Sequence, residues 1–400
     1  MKNIFLIFAL FFAFSFAGNG PVSYYGKLQA SGNKIAGSKT GSAAVQVRGV
    51  SFGWTTTDWE SSRFYRADAV GAMVNDWKAE VVRAAYGATA SAAGSPVIQN
   101  RARVEILADA ALANDVYFII DWHSHSAENE VENSKAFFEY MASKYGSYDN
   151  VIFEIYNEPI NASWANIKAY AEQIIPIIRA HSSNLILVGT PFYSQQVEKA
   201  VGNAINDANV GYVVHFYAYS HPLSNFQNNI NTALNAGLPI FVTEWGTTHS
   251  DGGQSDKNHY DTHNPTEADK WFAFMDQNKI SSAAWEVNDK YAGSAFFGIQ
   301  DAAKKFDMQS WADKTKMTQE GQYVFNKLNE YAKSAPWRSG QTPIKPIEAE
   351  NLAISGDASI EIFSLQGKKM GNSLSNLNKG IYILLLKQGS QTKSMKIVKK

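Results

Sequence analysis

The 400-residue chain contains no cysteine. Disulfides are excluded, so in an oxidising compartment the fold must rest on its core alone. An excess of one charge is also missing. Lys and Arg total 36, Asp and Glu 37, and the formal net charge is −1. That balance gives no reason to expect nucleic acid or an anionic membrane surface as a partner. The one extended apolar run, residues 4–16, is too short for a comfortable membrane span. No glycine-rich phosphate loop follows the first apolar strand, which leaves an open doubly wound nucleotide-binding sheet without support.

What is present begins with an export signal. Lys2 supplies a positive start, residues 4–16 an apolar segment, and Ser15-Phe16-Ala17 small residues around a cleavage point. A buried helix would need a polar face, and this run has none. Residues 1–17 are expected to be a signal peptide, and the mature protein to be exported, soluble and monomeric. Hydrophobic residues make up 45% of the chain and charged residues 18%, as in a protein with a substantial core. Aromatics reach 13%, with 10 Trp and 19 Tyr, a generous supply of flat faces on which sugars can stack.

Residues 18–42 are rich in Gly, Ser and Asn and read as a loose lead-in with a short hairpin. From 43 to 337, apolar runs alternate with helical periods. The runs are 45–50, 81–84, 117–121, 152–156, 185–188, 213–216, 240–243 and 283–287, mostly too short for helices and rich in β-branched residues. The clearest helix spans 163–181. Ser163 caps it, Ile167, Tyr170, Ile174 and Ile178 form one stripe, and Pro176 is expected to kink it. Eight strands separated by helices predict an α/β fold, a (β/α)8 TIM barrel. Residues 338–348 carry two prolines among small polar residues and read as a linker. Residues 349–400 alternate like a small antiparallel β module. From 351 to 400 there are eight Lys against two acids, a pattern that usually marks a solvated face.

In a barrel, the residues at the C-terminal ends of the strands converge on one face. Those residues here are Trp54, Arg83, His123, Asn157 with Glu158, Tyr193, His215 with Tyr217, Glu244 and Trp285. In "IYNEPI", Pro159 biases Glu158 toward extended geometry, so its carboxylate continues the strand into the bowl. A lone Glu before Pro is more often an ordinary loop carboxylate. A second strand-end carboxylate, Glu244 in "FVTEWG", changes the odds. Two carboxylates in an aromatic-lined pocket are what glycoside hydrolysis requires.

The stretches "VQVRGVSFGW", "VVRAAYG", "IIDWHSH", "VIFEIYNEP", "LVGTPFYSQ", "VVHFYA", "IFVTEWGT" and "VNDK" fall in order across 43–300. With them the chain resembles glycoside hydrolase family 5, in its bacterial endoglucanase subgroup. The resemblance implies hydrolysis of internal β-1,4-glucan bonds with retention and without a cofactor. It implies Glu158 as acid/base and Glu244 as nucleophile, in a pocket with Arg83, His123, Asn157, His215, Tyr217 and Trp285. In such an enzyme the carboxyls lie about 5–5.5 Å apart. Arg83 and the Tyr217 hydroxyl are placed to hold Glu244 as a carboxylate. Glu158 has to keep a proton, and the charge on Glu244 is expected to raise its pKa. Asn157 is placed to bond the sugar 2-hydroxyl, and Trp285 to floor the site. Trp54 and Tyr193 are candidate outer platforms, and Lys290 a candidate donor to a sugar. Tyr193 stands where many relatives have Trp, which implies weaker stacking on the leaving side. Glu286 replaces a small polar residue and either perturbs the pair's titration or pairs with a lysine. The tail resembles the C-terminal sorting domains of type IX-like secretion substrates, implying a secretion machinery as partner.

Two other readings compete. Asp121, His123 and His125 in "DWHSH" resemble the H-x-H of metal-dependent barrels, but leave the glutamate pair unexplained. A non-catalytic glycan-binding protein on the same scaffold is the other.

Overall fold

The computed structural model describes residues 20–56, 61–87, 97–252, 262–298 and 306–339, and then 347–348, 359–364, 369–373, 380–388 and 391–399. The signal segment 1–17 lies outside the described residues. The chain divides into two compact units, Met1–Trp337 and Arg338–Lys400.

The first unit opens with a short helix α1 (Pro21–Tyr25) and a hairpin of β1 (Leu28–Ser31) and β2 (Lys34–Gly37). Eight strands then follow: β3 (Arg48–Phe52), β4 (Val81–Gly87), β5 (Tyr117–His123), β6 (Val151–Glu154), β7 (Ile186–Val188), β8 (Val210–Tyr217), β9 (Ile240–Gly246) and β10 (Ser281–Val287). They pair in parallel and close on themselves, β10 against β3, as the eight apolar runs predict. The helices between them are α2 (Ala67–Asn75), α3 (Val97–Ala113), α4 (Val131–Tyr145), α5 (Trp164–Arg179), α6 (Gln227–Asn235), α7 (Pro265–Asn278) and α8 (Gln319–Ala332).

Ser163 caps α5, accepting a hydrogen bond from the Asn166 amide, and the stripe Ile167, Tyr170, Ile174 and Ile178 is buried. Pro176 stands inside α5, which runs on to Arg179, and it leaves the helix without one backbone donor. The connection from β7 to β8 departs from the expected alternation. In place of a helix it holds a turn over Pro191–Ser194 and a 3-10 turn over Val197–Ala200.

Side chains alternate along each strand, and this period of two builds the site. Outward residues such as Val82, Phe118, Phe153 and Phe216 pack beneath the helices. Inward residues change character along the barrel axis. At the N-terminal end Val81, Ile119, Ile152, Val213 and Phe241 form an apolar plug, capped by Val22, Leu28 and Ile35 of the N-terminal segment. Two residues further along the same strands stand Arg83, Asp121, Glu154, His215 and Thr243, all buried. The apolar plug seals the bottom, and the polar layer above it faces the mouth.

The second unit is a five-stranded sheet in the order β11 (Ile347–Glu348), β15 (Gln391–Lys399), β14 (Gly380–Gln388), β12 (Ser359–Ser364) and β13 (Lys369–Gly371). It is antiparallel except for β11, which runs parallel to β15. Among the described residues no helix is long and apolar enough to cross a membrane.

Candidate active site

Arg83 lies at the centre of the polar layer and is fully buried. Its Nε donates to Glu154 Oε2 at 2.8 Å, its Nη2 donates to Asn157 Oδ1 at 2.6 Å, and Nη2 forms an ion pair with Asp121 Oδ2 at 2.8 Å. Its Nη1 reaches Glu244 Oε2 at 3.2 Å. Burial alone disfavours a cation, but Asp121, Glu154 and Glu244 outweigh it and hold Arg83 firmly charged. The planar fork can satisfy several acceptors at once, which a lysine could not. Glu244 is thus fixed from two sides, since Tyr217 Oη donates to its Oε1 at 2.7 Å.

The arginine also fixes Asn157. A guanidinium only donates, so the atom facing it is the amide oxygen. Asn157 Nδ2 is then turned away, buried, and meets no acceptor among the described residues. A buried donor left open at a pocket is a ready contact for a substrate hydroxyl.

Glu158 is bonded by two histidines. His215 Nδ1 lies 2.8 Å from its Oε1, and His125 Nε2 lies 3.4 Å from its Oε2. Behind His215 a chain continues. Its Nε2 meets Thr243 Oγ1 at 2.8 Å, and that hydroxyl donates to Glu154 Oε1 at 2.7 Å. Both Glu154 oxygens accept from Arg83, so the threonine proton points at Glu154. The threonine oxygen then accepts, and His215 must carry a proton on Nε2. Its Nδ1 and Glu158 Oε1 therefore share a single proton. With that proton on Glu158 the pair is neutral acid and neutral imidazole. With it on His215 the pair is carboxylate and imidazolium.

This corrects the expected direction for Glu158. Burial pushes its carboxyl up, but the bonds from His125 and His215 more than offset burial and hold it below the usual carboxylate range. His215 moves the other way. Burial disfavours its cation, yet the bond to Glu158 and the charge of Glu244 raise its pKa. Both directions favour His215 as the resting place of the shared proton, one hydrogen bond from Glu158. Carboxylate oxygens of Glu158 and Glu244 and a ring nitrogen of His215 all lie within 4.8 Å of one another.

An aromatic corner adjoins these groups through Tyr217 and His125. His123 stacks on Trp285 with ring centroids 5.3 Å apart and planes 3° apart, and Trp54 stands edge-on to His123 at 4.6 Å. Trp54, Trp285, Tyr217 and Ala85 form one apolar cluster. Asp121 Oδ2 holds His123 Nδ1 at 2.6 Å. Burial drives the Asp121 carboxyl up to about 7, against the pull of Arg83. Burial, with Arg83 nearby, drives His123 well below its usual range, so it is a neutral ring. Lys290 sits 5.9 Å from the centre of the Trp285 ring and pairs with the buried Glu286 at 2.5 Å. Of the two readings of Glu286, the structure supports the lysine partner. Tyr193 lies on the turn after β7, joined to the Glu158 loop through its amide, which donates to the Pro159 carbonyl at 2.9 Å.

Sequence reasoning brought most of these residues together but passed over Glu154 and Thr243. The strand period gives the face of Glu154, two residues beyond Ile152 and inward, but not its partners. The H-x-H reading does not gain from the geometry. His123 and His125 each turn a ring nitrogen to a different carboxylate, Asp121 and Glu158, and their ring centroids are 6.4 Å apart. The cluster of Glu158, His215 and Glu244 suits a cation poorly. Both nitrogens of His215 are engaged in hydrogen bonds, and Arg83 already balances Glu244.

A model of the family "Cellulase (glycosyl hydrolase family 5)" matches residues 34–291. The chain belongs to glycoside hydrolase family 5. Every site residue named above lies within that segment. Endoglucanase Z of Dickeya dadantii (strain 3937) is 44% identical over 294 residues, 71% of this chain and 66% of that protein. Of the first three endoglucanases it matches, the family 5 chain spans 66%, 47% and 59% of the length. A solved structure from Cytophaga hutchinsonii is 35% identical with a TM-score of 0.71, covering 78% of this chain and 96% of that one. The catalytic domain of Thermobifida fusca endoglucanase Cel5A, solved as a variant in complex with cellotetraose, is 29% identical with a TM-score of 0.68. That match covers 78% of this chain and 99% of the other.

Proposed function

We propose that this chain is a secreted endo-β-1,4-glucanase that cleaves by double displacement. The observation that carries the reading is the pair of carboxylates, Glu158 and Glu244, with oxygens within 4.8 Å in a polar layer beside an aromatic wall. That spacing suits a retaining enzyme, whose carboxyls lie about 5–5.5 Å apart, and leaves little room for the water an inverting enzyme needs. Glu244, held by Arg83 and Tyr217, attacks the anomeric carbon. The bond to the leaving oxygen breaks as Glu158 delivers the proton it shares with His215. A glycosyl ester on Glu244 remains. Its formation removes the charge of Glu244, and Glu158, now a carboxylate, takes a proton from the incoming water. Asn157 Nδ2 donates to the sugar 2-hydroxyl, a contact that strengthens as positive charge develops on the ring.

The family likeness and the cellotetraose complex of a relative support β-1,4-glucan as the polymer. Export rests on the charge and apolar pattern of residues 1–17, and a sorting role for the second unit on the resemblance of its sequence.

The test is substitution. Glu244→Gln and Glu158→Gln are each expected to cut hydrolysis of carboxymethyl-cellulose by at least about 10³-fold while leaving the melting temperature close to that of the parent. Unchanged hydrolysis in Glu244→Gln removes the nucleophile assignment. Parallel rates on lichenan, xylan and glucomannan fix the polymer.

A further inference from the structure

Glu320 is a buried acid that the mechanism above does not use. It stands in the first turn of α8, completely buried, and among the described residues no lysine or arginine pairs with it. The start of α8 is secured without it. Thr318 caps the helix, accepting from the Gly321 amide at 3.0 Å, and its own amide donates to the Phe296 carbonyl at 3.0 Å. Gly321 lets the two segments touch, since a Cβ there would lie 2.0 Å from that carbonyl.

A buried carboxylate is unfavourable unless its oxygens are bonded. Those of Glu320 are bonded to one residue of another element, Thr247, just past the end of β9. The Thr247 amide lies 3.1 Å from Oε1 and 3.0 Å from Oε2, and the Thr247 hydroxyl donates to Oε2. His263 Nδ1 lies 2.7 Å from the same hydroxyl and 3.4 Å from Oε2. The Asn264 amide donates to the Thr247 carbonyl at 2.8 Å. Every polar group of Thr247 is thus engaged.

Thr247 follows Glu244 by three residues. Between them, Gly246 pairs with Tyr217 across β8 and β9. A Cβ on Gly246 would lie 3.0 Å from Tyr217 Cδ1 and 3.5 Å from Glu320 Oε1. The phenol ring and the Glu320 carboxylate therefore meet where a side chain of residue 246 would stand. The hydroxyl of that ring is the one that donates to Glu244 Oε1 at 2.7 Å. We propose that Glu320 is a positioning residue for the nucleophile. By holding Thr247 it seats Gly246 against the Tyr217 ring and so aims the hydroxyl at Glu244. A small shift of that backbone misaligns the bond, which weakens steeply with angle. The inference rests on the glucanase reading of the same site.

The experiment is a double-mutant cycle on cellohexaose hydrolysis, with a spectroscopic readout beside it. Glu320→Ala is expected to lower kcat by about tenfold, the size of one hydrogen bond to a charged group, with KM within twofold of the parent. Glu320→Gln, which still offers an oxygen to the Thr247 amide, is expected to recover most of kcat. In a Tyr217→Phe background Glu320→Ala is expected to change kcat by less than twofold, because the bond it aims is already gone. A merely structural role would lower kcat equally in both backgrounds. That result, or a kcat within twofold of the parent in Glu320→Ala, overturns the proposal. If Glu320→Ala does not fold, Thr247→Ala breaks the contact from the other side and carries the same comparison. The second readout is the carbon NMR signal of the Tyr217 Cζ, assigned by its loss in Tyr217→Phe. It is expected to move in Glu320→Ala and to return in Glu320→Gln. If the parent cleaves no β-glucan, the glucanase reading fails separately, and this signal decides on Glu320: movement upholds the positioning role, and an unmoved signal rejects it.

Discussion

Replacing His215 with Asn removes the partner with which Glu158 shares its proton. In the parent, the pair titrates as a unit, and its last proton leaves at the raised pKa of His215. Activity on the basic side is lost when that proton goes. In the variant Glu158 must hold the proton alone, as a carboxylic acid. The basic limb of kcat/KM is therefore expected to move to lower pH, with kcat reduced by about 10²-fold. A pH–rate profile on carboxymethyl-cellulose measures both. A basic limb that stays in place contradicts the shared proton. The same pair affects stability, with opposite signs. The raised His215 contributes stability that is full below its unfolded pKa and is lost as pH rises through its folded value. The lowered Glu158 contributes stability that is present above its unfolded pKa and is lost only as pH falls through its folded value.

Among the elements, β10 and the loop after it show how an unusual residue is accommodated. Glu286 is completely buried. Its Oε1 faces Lys290, its Oε2 accepts from Asn288 Nδ2 at 3.3 Å, and Asn288 Nδ2 also donates to Ser61 Oγ at 2.6 Å. Gly53 leaves the space for Oε2, because a Cβ there would approach within 2.1 Å. The carboxylate thus ties Lys290 down beside Trp285 and links β10 to the residues after β3. Removing Glu286 takes a counter-ion from Lys290 in a pair that is largely buried. Glu286→Ala is expected to destabilise the fold by about 3 kcal/mol, read by urea unfolding, and to raise KM more than it lowers kcat. A loss below about 1 kcal/mol would mean that Lys290 is held by something else. At this scale the sequence was legible where a rule of period or spacing applied. The eight apolar runs, the Ser163 cap and the strand-end acids Glu158 and Glu244 all follow from such rules. The β7–β8 connection did not, because nothing in "PFYSQ" signals a left-handed turn without glycine. Glu154 and Thr243 were hidden for a related reason. Their positions are inward by the strand period, but an isolated acid or hydroxyl in an apolar run gives no hint of the arginine and histidine it meets from other strands. The direction of the Glu158 shift was hidden on the same ground, since His125 reaches it from the loop after β5 and His215 from β8.

For the molecule as a whole, the barrel acts as a device with a sealed end and an open end. Three inward columns pass from apolar to polar in steps of two residues: Val81 to Arg83, Ile119 to Asp121 to His123, Val213 to His215 to Tyr217. The apolar plug excludes water beneath Arg83, which strengthens every charge interaction in the layer above. On the proposed mechanism the glutamates work in a preorganised field that needs no rearrangement when charge develops on the sugar. The central claim is that Glu244 forms a bond to the anomeric carbon, and the configuration of the product reports it directly. Proton NMR of the first minutes of cellohexaose hydrolysis, before mutarotation, is expected to show the new reducing ends as the β-anomer. An initial excess of the α-anomer would mean a single displacement by water, and would contradict the roles given to both glutamates.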